Sequence, residues 1–443
     1  MVAIMSGRRS GSRLVPKRKL GYLQTLLIAP AFLFAVPSTA WCAPDEQQAQ
    51  VETLPGATVE SVLSLAQQLS PELIARALDA DAAQSRIEIA SALPDPTIRI
   101  TDDEMPRTNG PRRTMLIYGI EQKIPLWGKR DLRAAIANAE TDRFSAQIQV
   151  SNTDLIERVK VAFAGYYYAT HALAISQELQ ESNRKILSAR QGLYIQNRGS
   201  QSNTLKAEID GSRIETTIVK LTSQVNAARG SLNALLLRPL DAPLAEPKSL
   251  PPIPKQEALN VEQLTTRALL SNPTLRADLA DIRGAKAKQE LAQKSWYPDI
   301  TLGVSAIDRR SNGPTGYVAS VGIDVPLQWG LHEAATREAT AMLGAERADR
   351  GARQVELWQA IAQAAGALEN SNQTRILYEE KLIPQSKALL RSSTAAYAAG
   401  KMDMATALEA EQNVFQVQIE LLSAEFETQR QLAAIERLVG EKL

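Results

Sequence analysis

Ile300-Thr-Leu-Gly-Val-Ser-Ala306 and Tyr317-Val-Ala-Ser-Val-Gly-Ile-Asp-Val325 decide how this chain folds. In the first, Ile300, Leu302, Val304 and Ala306 alternate with Thr301, Gly303 and Ser305; in the second, Tyr317, Ala319, Val321, Ile323 and Val325 alternate with Val318, Ser320, Gly322 and Asp324. A period of two, apolar on one side and small or polar on the other, predicts a pair of strands. A weaker copy lies upstream, where Leu116, Tyr118, Ile120 and Ile124 alternate with Ile117, Gly119, Glu121 and Lys123, and where Ile98 and Ile100 share one face of the stretch 97–101. The chain thus offers four strands of about ten residues, the length of a tilted strand crossing a bilayer. An open sheet leaves its edge groups unpaired in lipid, and closed barrels begin at about eight strands. Several copies must then share a barrel, and three would supply twelve strands. The alternation alone also suits a small soluble sheet capping the helices.

Outward from the hairpins, the sequence repeats itself. Val59-Glu60, Ala66 and Ser70-Pro71-Glu72-Leu73 return as Val261-Glu262, Ala268 and Asn272-Pro273-Thr274-Leu275, offset by 202. Leu93-Pro94-Asp95 returns as Tyr297-Pro298-Asp299, and Pro125-Leu-Trp-Gly128 as Pro326-Leu-Gln-Trp-Gly330. Leu205-Lys-Ala-Glu208 returns as Leu408-Glu-Ala-Glu411. The reading divides the chain into a first repeat at 58–238, with a hairpin at about 97–126 and a helical turn near 199, and a second at 261–440, with a hairpin at about 300–327 and a turn near 400. The linker 239–260 separates them; its residues 239–254 hold six prolines, a composition that favours an extended chain.

Each repeat begins with a helix of about 35 residues and ends in two very long helical segments. Residues 126–238 contain no proline, so the first of these reaches on the order of 100 Å at ~1.5 Å per residue. Ile214, Ile218, Leu221, Val225, Ala228, Leu232 and Leu235 follow coiled-coil spacing. Phe415, Ile419, Leu422 and Phe426 repeat it beside a second stripe of Val414, Val417, Leu421 and Ala424. Two stripes mean neighbours on two sides, as in a ring of helices; periodicity alone also suits an antiparallel bundle within one chain. The fold class is mainly α with a small β part.

Arg8, Arg9, Arg13, Lys17, Arg18 and Lys19 precede an apolar run at 20–36 and the exit Pro37-Ser-Thr-Ala40. This order predicts a signal peptide, 1–40, followed by a linker, 41–57. A membrane anchor is the competing reading, but Gln24, Thr25 and Pro30 interrupt a short span. Cys42 could carry lipid, although Trp41 stands where a lipoprotein needs a small residue. Fifty Lys+Arg against 49 Asp+Glu argue against a nucleic-acid partner. One cysteine and two histidines argue against a disulfide framework, a CxxC site or a His-built metal centre. Gly128-Lys129-Arg130 lacks the upstream glycines of a phosphate loop. No nucleophile–base constellation and no cofactor site emerge, so the chain reads as no enzyme.

The duplicated halves, Pro-Asp before the first strand, Pro125-Leu-Trp-Gly-Lys-Arg130 after the second, and Tyr397-Ala-Ala-Gly400 before Leu408-Glu-Ala-Glu411 resemble the TolC-type outer membrane efflux family over residues 58–440. Ala92-Leu-Pro-Asp-Pro96 with Gln122-Lys-Ile-Pro-Leu-Trp-Gly-Lys-Arg130 is similar to the branch paired with heavy-metal RND pumps of the cobalt–zinc–cadmium type. The resemblance implies a homotrimer: a 12-stranded β-barrel in the outer membrane lipid, continued by a 12-helix periplasmic α-barrel. It also implies docking to a periplasmic adaptor and an inner-membrane RND pump, and a passive role in efflux. Adaptor docking at the helical tips makes Tyr194, Arg198, Gly199, Tyr397, Gly400 and Lys401 the contact candidates. Narrowing beside the second tip makes Asp403, Glu409 and Glu411 gate candidates, with Lys206 set against Glu409. Met402, Met404 and His171 read as packing residues rather than metal ligands. The alternatives are a channel for drugs or other small molecules, and the periplasmic adaptor itself, which has one helical hairpin where this chain has two.

Overall fold

The computed structural model describes residues 54–105, 113–195, 201–255, 259–309 and 314–443. The export segment, Cys42, Arg198 and Gly199 lie outside the described residues. The first half runs α1 (Val59–Leu69), α2 (Pro71–Ser91), β1 (Thr97–Met105), β2 (Arg113–Ile124), α3 (Lys129–Ile195) and α4 (Gln201–Leu235). The second runs α5 (Val261–Ser271), α6 (Pro273–Lys294), β3 (Asp299–Asp308), β4 (Gly316–Asp324), α7 (Trp329–Leu377), a π-helical turn (Tyr378–Leu382), α8 (Ile383–Ala398) and α9 (Met404–Val439).

The expected leading helix of about 35 residues is in fact two helices, and the break recurs in both halves. Pro71 and Pro273 have no N–H to continue a helix but fit its first turn. The residue ahead of each is extended: Ser70 at φ −61°, ψ 113°, and Asn272 at φ −61°, ψ 121°. Each caps the helix that follows, Ser70 Oγ accepting from Leu73 N at 3.4 Å and Asn272 Oδ1 from Leu275 N at 3.0 Å. The long helices also differ between repeats. α3 is unbroken over 67 residues, about 100 Å at ~1.5 Å per residue. In the second half the π-helical turn lies just ahead of Pro384, whose missing N–H interrupts the ladder.

Two buried clusters hold the helices together, and they are copies of one another. Leu155, Val159, Phe163 and Tyr166 on α3 pack with Val62 and Ala66 on α1. The residues 202 further on, Leu357, Ile361, Ala365 and Leu368 on α7, pack with Leu264 and Ala268 on α5. The duplicated sequence therefore folds into duplicated packing. The α4 seam is buried at Ile214, Leu221 and Leu232, and α9 buries both of its stripes, Phe415 and Leu422 with Val414 and Val417.

The four strands form one antiparallel sheet in the order β1-β2-β3-β4. Each hairpin is local, but the β2–β3 pairing joins the halves, with Ile124 opposite Ile300 and Tyr118 opposite Ala306. β1 and β4 are the edges.

Candidate functional site

Strand alternation sorts the sheet into two faces. One carries Ile98 and Ile100 from β1, Tyr118, Ile120 and Ile124 from β2, Ile300, Leu302 and Val304 from β3, and Tyr317, Val321 and Ile323 from β4. No helix covers it: Ile98 is 75% exposed, Val321 69% and Tyr317 79%. An apolar face of this extent in contact with water would be a strong aggregation liability. The opposite face is small and charged towards the helices, with Arg99 bonded to Glu121 at 3.1 Å and Lys123 to Asp324 at 2.7 Å, and carries Ile117, Ile307 and Val318 towards the loop ends. On that face Ser305 and Ser320 lean over Gly119 and Gly303, where a Cβ would meet their Oγ atoms at 2.7 and 2.5 Å. The sheet is amphipathic, with one apolar and one largely polar face, the division that a membrane barrel wall has.

Where the sheet meets the helices, the two repeats are clamped together. Trp127 and Gly128 both adopt left-handed backbone, φ 63° and 74°, which turns β2 sharply into α3. The turn delivers Lys129 Nζ to Asp299 Oδ1 and to the Tyr297 carbonyl, both at 2.8 Å. Leu126 N donates to the same Asp299 oxygen at 3.2 Å, and Trp127 Nε1 to the Pro298 carbonyl at 2.9 Å. The Trp127 and Tyr297 rings lie 5.2 Å apart. Arg130 ties the same turn to the Ser91 carbonyl at the end of α2. The sequence displayed these residues only as recurring motifs; their recurrence at the junctions was the available signal for the clamp. In the second repeat Leu331, one residue after Gly330, takes the position of Lys129, so the pairing is specific to the contact between repeats.

At the far end of the long helices the described tip is built on Gly400. Its φ of 67°, with Lys401 N bonded to Ala396 O and Gly400 N to Tyr397 O, both at 2.9 Å, makes a Schellman cap that ends α8. Tyr397 and Lys401 are exposed beside it. Tyr194 lies in the last turn of α3. Asp403 occupies the N-cap position of α9 without a side-chain cap bond. Glu409 pairs with Lys206 of α4 at 2.6 Å, and Glu411 accepts from Ser182 Oγ of α3 at 2.6 Å. Two of the three gate candidates are thus engaged with the opposite hairpin. Met402 and Met404 are half-buried. His171 stacks on Tyr167 at 4.1 Å, its Nδ1 within 2.9 Å of the Tyr167 carbonyl. Among the described residues no three His, Cys, Asp or Glu side chains converge as a metal site, and no helix is long and apolar enough to cross a membrane.

This arrangement of a sheet with an uncovered apolar face and long paired helices has known counterparts. The sequence pattern of the outer membrane efflux protein family matches residues 62–236 and again 264–441. The chain belongs to this family. The double match falls on the two halves that sequence and core packing mark as duplicates. Among curated relatives, the cobalt-zinc-cadmium resistance protein CzcC of Cupriavidus metallidurans is 21% identical over 86% of this chain and 90% of its own length. The nickel and cobalt resistance protein CnrC of the same organism is 24% identical over 72% and 75%. Among solved structures, CusC superposes with a TM-score of 0.74 at 14% identity, over 88% of this chain and 93% of its own. The open-state MtrE outer membrane channel of Neisseria gonorrhoeae gives 0.72 at 18%, over 86% and 89%. The chain is accordingly an efflux protein of the outer membrane with a helical periplasmic extension.

Proposed function

We propose that the chain is the channel component of a tripartite efflux system, a passive homotrimeric conduit for heavy-metal cations delivered by an inner-membrane RND pump through a periplasmic adaptor. The observation that carries this reading is the four-stranded sheet with an uncovered apolar face and two unpaired edges. Each backbone group left unpaired in lipid costs several kcal/mol. Seating β4 of one copy against β1 of the next satisfies every edge, and three copies of four strands close a twelve-stranded barrel. The same three copies bring two helical hairpins each, enough for a twelve-helix tunnel. Likeness to CzcC and CnrC supports metal cations as the cargo. The polar inner face offers charges already paired with one another, which suits a conduit that passes ions without holding them. The energy then comes from the pump.

In this reading the tips, Tyr194, Arg198 and Gly199 on one hairpin and Tyr397, Gly400 and Lys401 on the other, receive the adaptor. Asp403, Glu409 and Glu411 form the gate, and the Lys206–Glu409 pair fastens α4 to α9 beside it.

The deciding experiment pairs deletion of the gene with reconstitution. Loss of the chain should sensitise cells to cobalt, zinc or cadmium, and the purified protein should migrate as a heat-modifiable trimer and conduct ions across planar bilayers. A water-soluble monomer without conductance would refute the channel, while unchanged metal tolerance would refute only the cargo. Crosslinkers at positions 198 and 401 should capture a co-expressed adaptor. Glu409→Ala should alter conductance or cation selectivity.

A further inference from the structure

α6 packs along α3 on one side and α7 on the other, and α2 lies on the far side of α3. The row α2-α3-α6-α7 thus ends in two helices, each with one bare flank. The duplication shows what those flanks lack, because α2 repeats α6 and α7 repeats α3 at an offset of 202. Within the chain α3 and α6 run antiparallel, with Asp142 bonded to Arg283 at 2.9 Å and Gln149 to Arg276 at 3.1 Å. Ala139 packs against Gly284, where a Cβ would stand 3.4 Å from its own, and Ala139, Ala280 and Gly284 are all buried. The same positions 202 residues away are exposed. On α7 they continue a stripe of Ala341, Gly344, Ala348, Gly351 and Val355 in 3-4-3-4 spacing. A Cβ on Gly344 or Gly351 would meet nothing within 4 Å. On α2 they are Ile74, Leu78 and Ala82, with Ile74 54% and Leu78 61% exposed.

We infer that these two flanks dock on each other between copies, α7 of one against α2 of the next, in the antiparallel register that α3 and α6 adopt within a copy. The inference rests on the trimer proposed above and adds to it which helix faces meet and which residues face each other. Size supports it. Inside the chain the bulky side chains, Asp142 and Gln149, belong to the long helix, and the small ones, Ala280 and Gly284, to the short one. Between copies the order is reversed: Gly344 and Gly351 stand on the long helix, Ile74 and Leu78 on the short one. Glycine within a helix is unfavourable relative to alanine, and the groove these two leave is filled by nothing in their own chain. The shared register sets Ile74 opposite Gly351, Leu78 between Gly344 and Ala348, and Ala82 opposite Ala341. Charge supports it too. Glu88 of α2 comes opposite Arg337 of α7, and Asp81 comes opposite Gly344 with Arg347 one turn away. All four charged side chains are exposed, and none forms an ion pair among the described residues. The contact lies directly beneath the seam where β4 of one copy meets β1 of the next.

The test places cysteine pairs in the full-length exported chain and reads disulfide-linked ladders on denaturing gels of outer membranes. α3 and α6 separate α2 from α7 within a copy, so a bond between those helices joins two copies. Ala82→Cys with Ala341→Cys should give covalent dimers and trimers, and either cysteine alone should give none. Ala82→Cys with Ala348→Cys should also give none, because a heptad is about 10 Å of helix and a disulfide needs Cα atoms within about 7 Å. Exchanging sizes is the second readout. Gly351→Leu should lower the temperature at which heat-modifiable trimers dissociate, and Ile74→Ala in the same chain should restore it. A ladder from the displaced pair instead, no ladder although the variant migrates as a trimer, or a double variant weaker than Gly351→Leu would overturn the assignment. Absence of a trimer from the parent itself would refute the channel reading, so the two failures are told apart.

Discussion

Lys129 and Asp299 bring opposite charges to a place that water scarcely reaches, with side chains 8% and 14% exposed. Such a pair adds little beyond a well-packed apolar substitute, but removing one partner strands the other. Lys129→Ala should therefore destabilise the protein by about 3 kcal/mol, read as a lower midpoint of thermal unfolding. Trp127→Phe, which removes one neutral hydrogen bond, should cost only about 1 kcal/mol. Glu425 on α9 makes the opposite case, a charge whose surroundings resist it. Burial pushes its carboxyl above the ordinary range and Glu379 adds to the effect, while Arg375 and His171 oppose it; Tyr167 of α3 lines the same groove. A raised folded pKa means that the native state holds its proton longer than the unfolded chain. Stability is then greatest below the ordinary carboxylate range and declines as pH rises through the raised value. Thermal melts of the parent and of Glu425→Gln across that window should diverge with rising pH, the parent losing ground, and then run parallel.

At the scale of elements, helix ends and breaks rest on one or two residues each. Gly400 holds φ 67° with no atom within 4 Å of where a Cβ would stand, so a substitution there meets backbone strain and no clash. Gly400→Ala should loosen the tip by about 1 kcal/mol, seen as faster amide exchange in the last turn of α8 with the buried clusters unchanged. This glycine was legible in the sequence because a long helical pattern must reverse there. The breaks at Ser70-Pro71 and Asn272-Pro273 are not legible as breaks, although both recur as repeats. Proline in a first helical turn leaves the apolar period intact on either side, so the two helices look like one. The signal lay in the cap, a Ser or Asn directly before the proline. The clamp was half legible in the same way: Pro-Asp and Trp-Gly-Lys recur at element boundaries, but nothing local says that Lys129 reaches a residue 170 positions away.

For the whole molecule, duplication was the most legible property, because a fixed offset survives in motifs and in buried positions such as Val159 and Ile361 alike. The joining of the two hairpins was not, since β2 and β3 are separated by four helices, α3 to α6, and their register leaves no mark in either strand. What the alternation did show was a division into one apolar face and one largely small or polar face, which suits a wall between lipid and water and by itself suits a soluble cap as well. That division yields the sharpest global prediction. Val321 lies near mid-strand on the apolar face, and its neighbour Ser320 lies on the polar one. Arginine at a lipid-facing position near the bilayer midplane costs ~2–4 kcal/mol, and a trimer would carry that cost three times. Val321→Arg should therefore sharply reduce the heat-modifiable trimer recovered from outer membrane fractions. Ser320→Arg, one residue away, should leave assembly near normal and change conductance instead. Equal tolerance of both substitutions would mean that the face now taken to meet lipid meets something else.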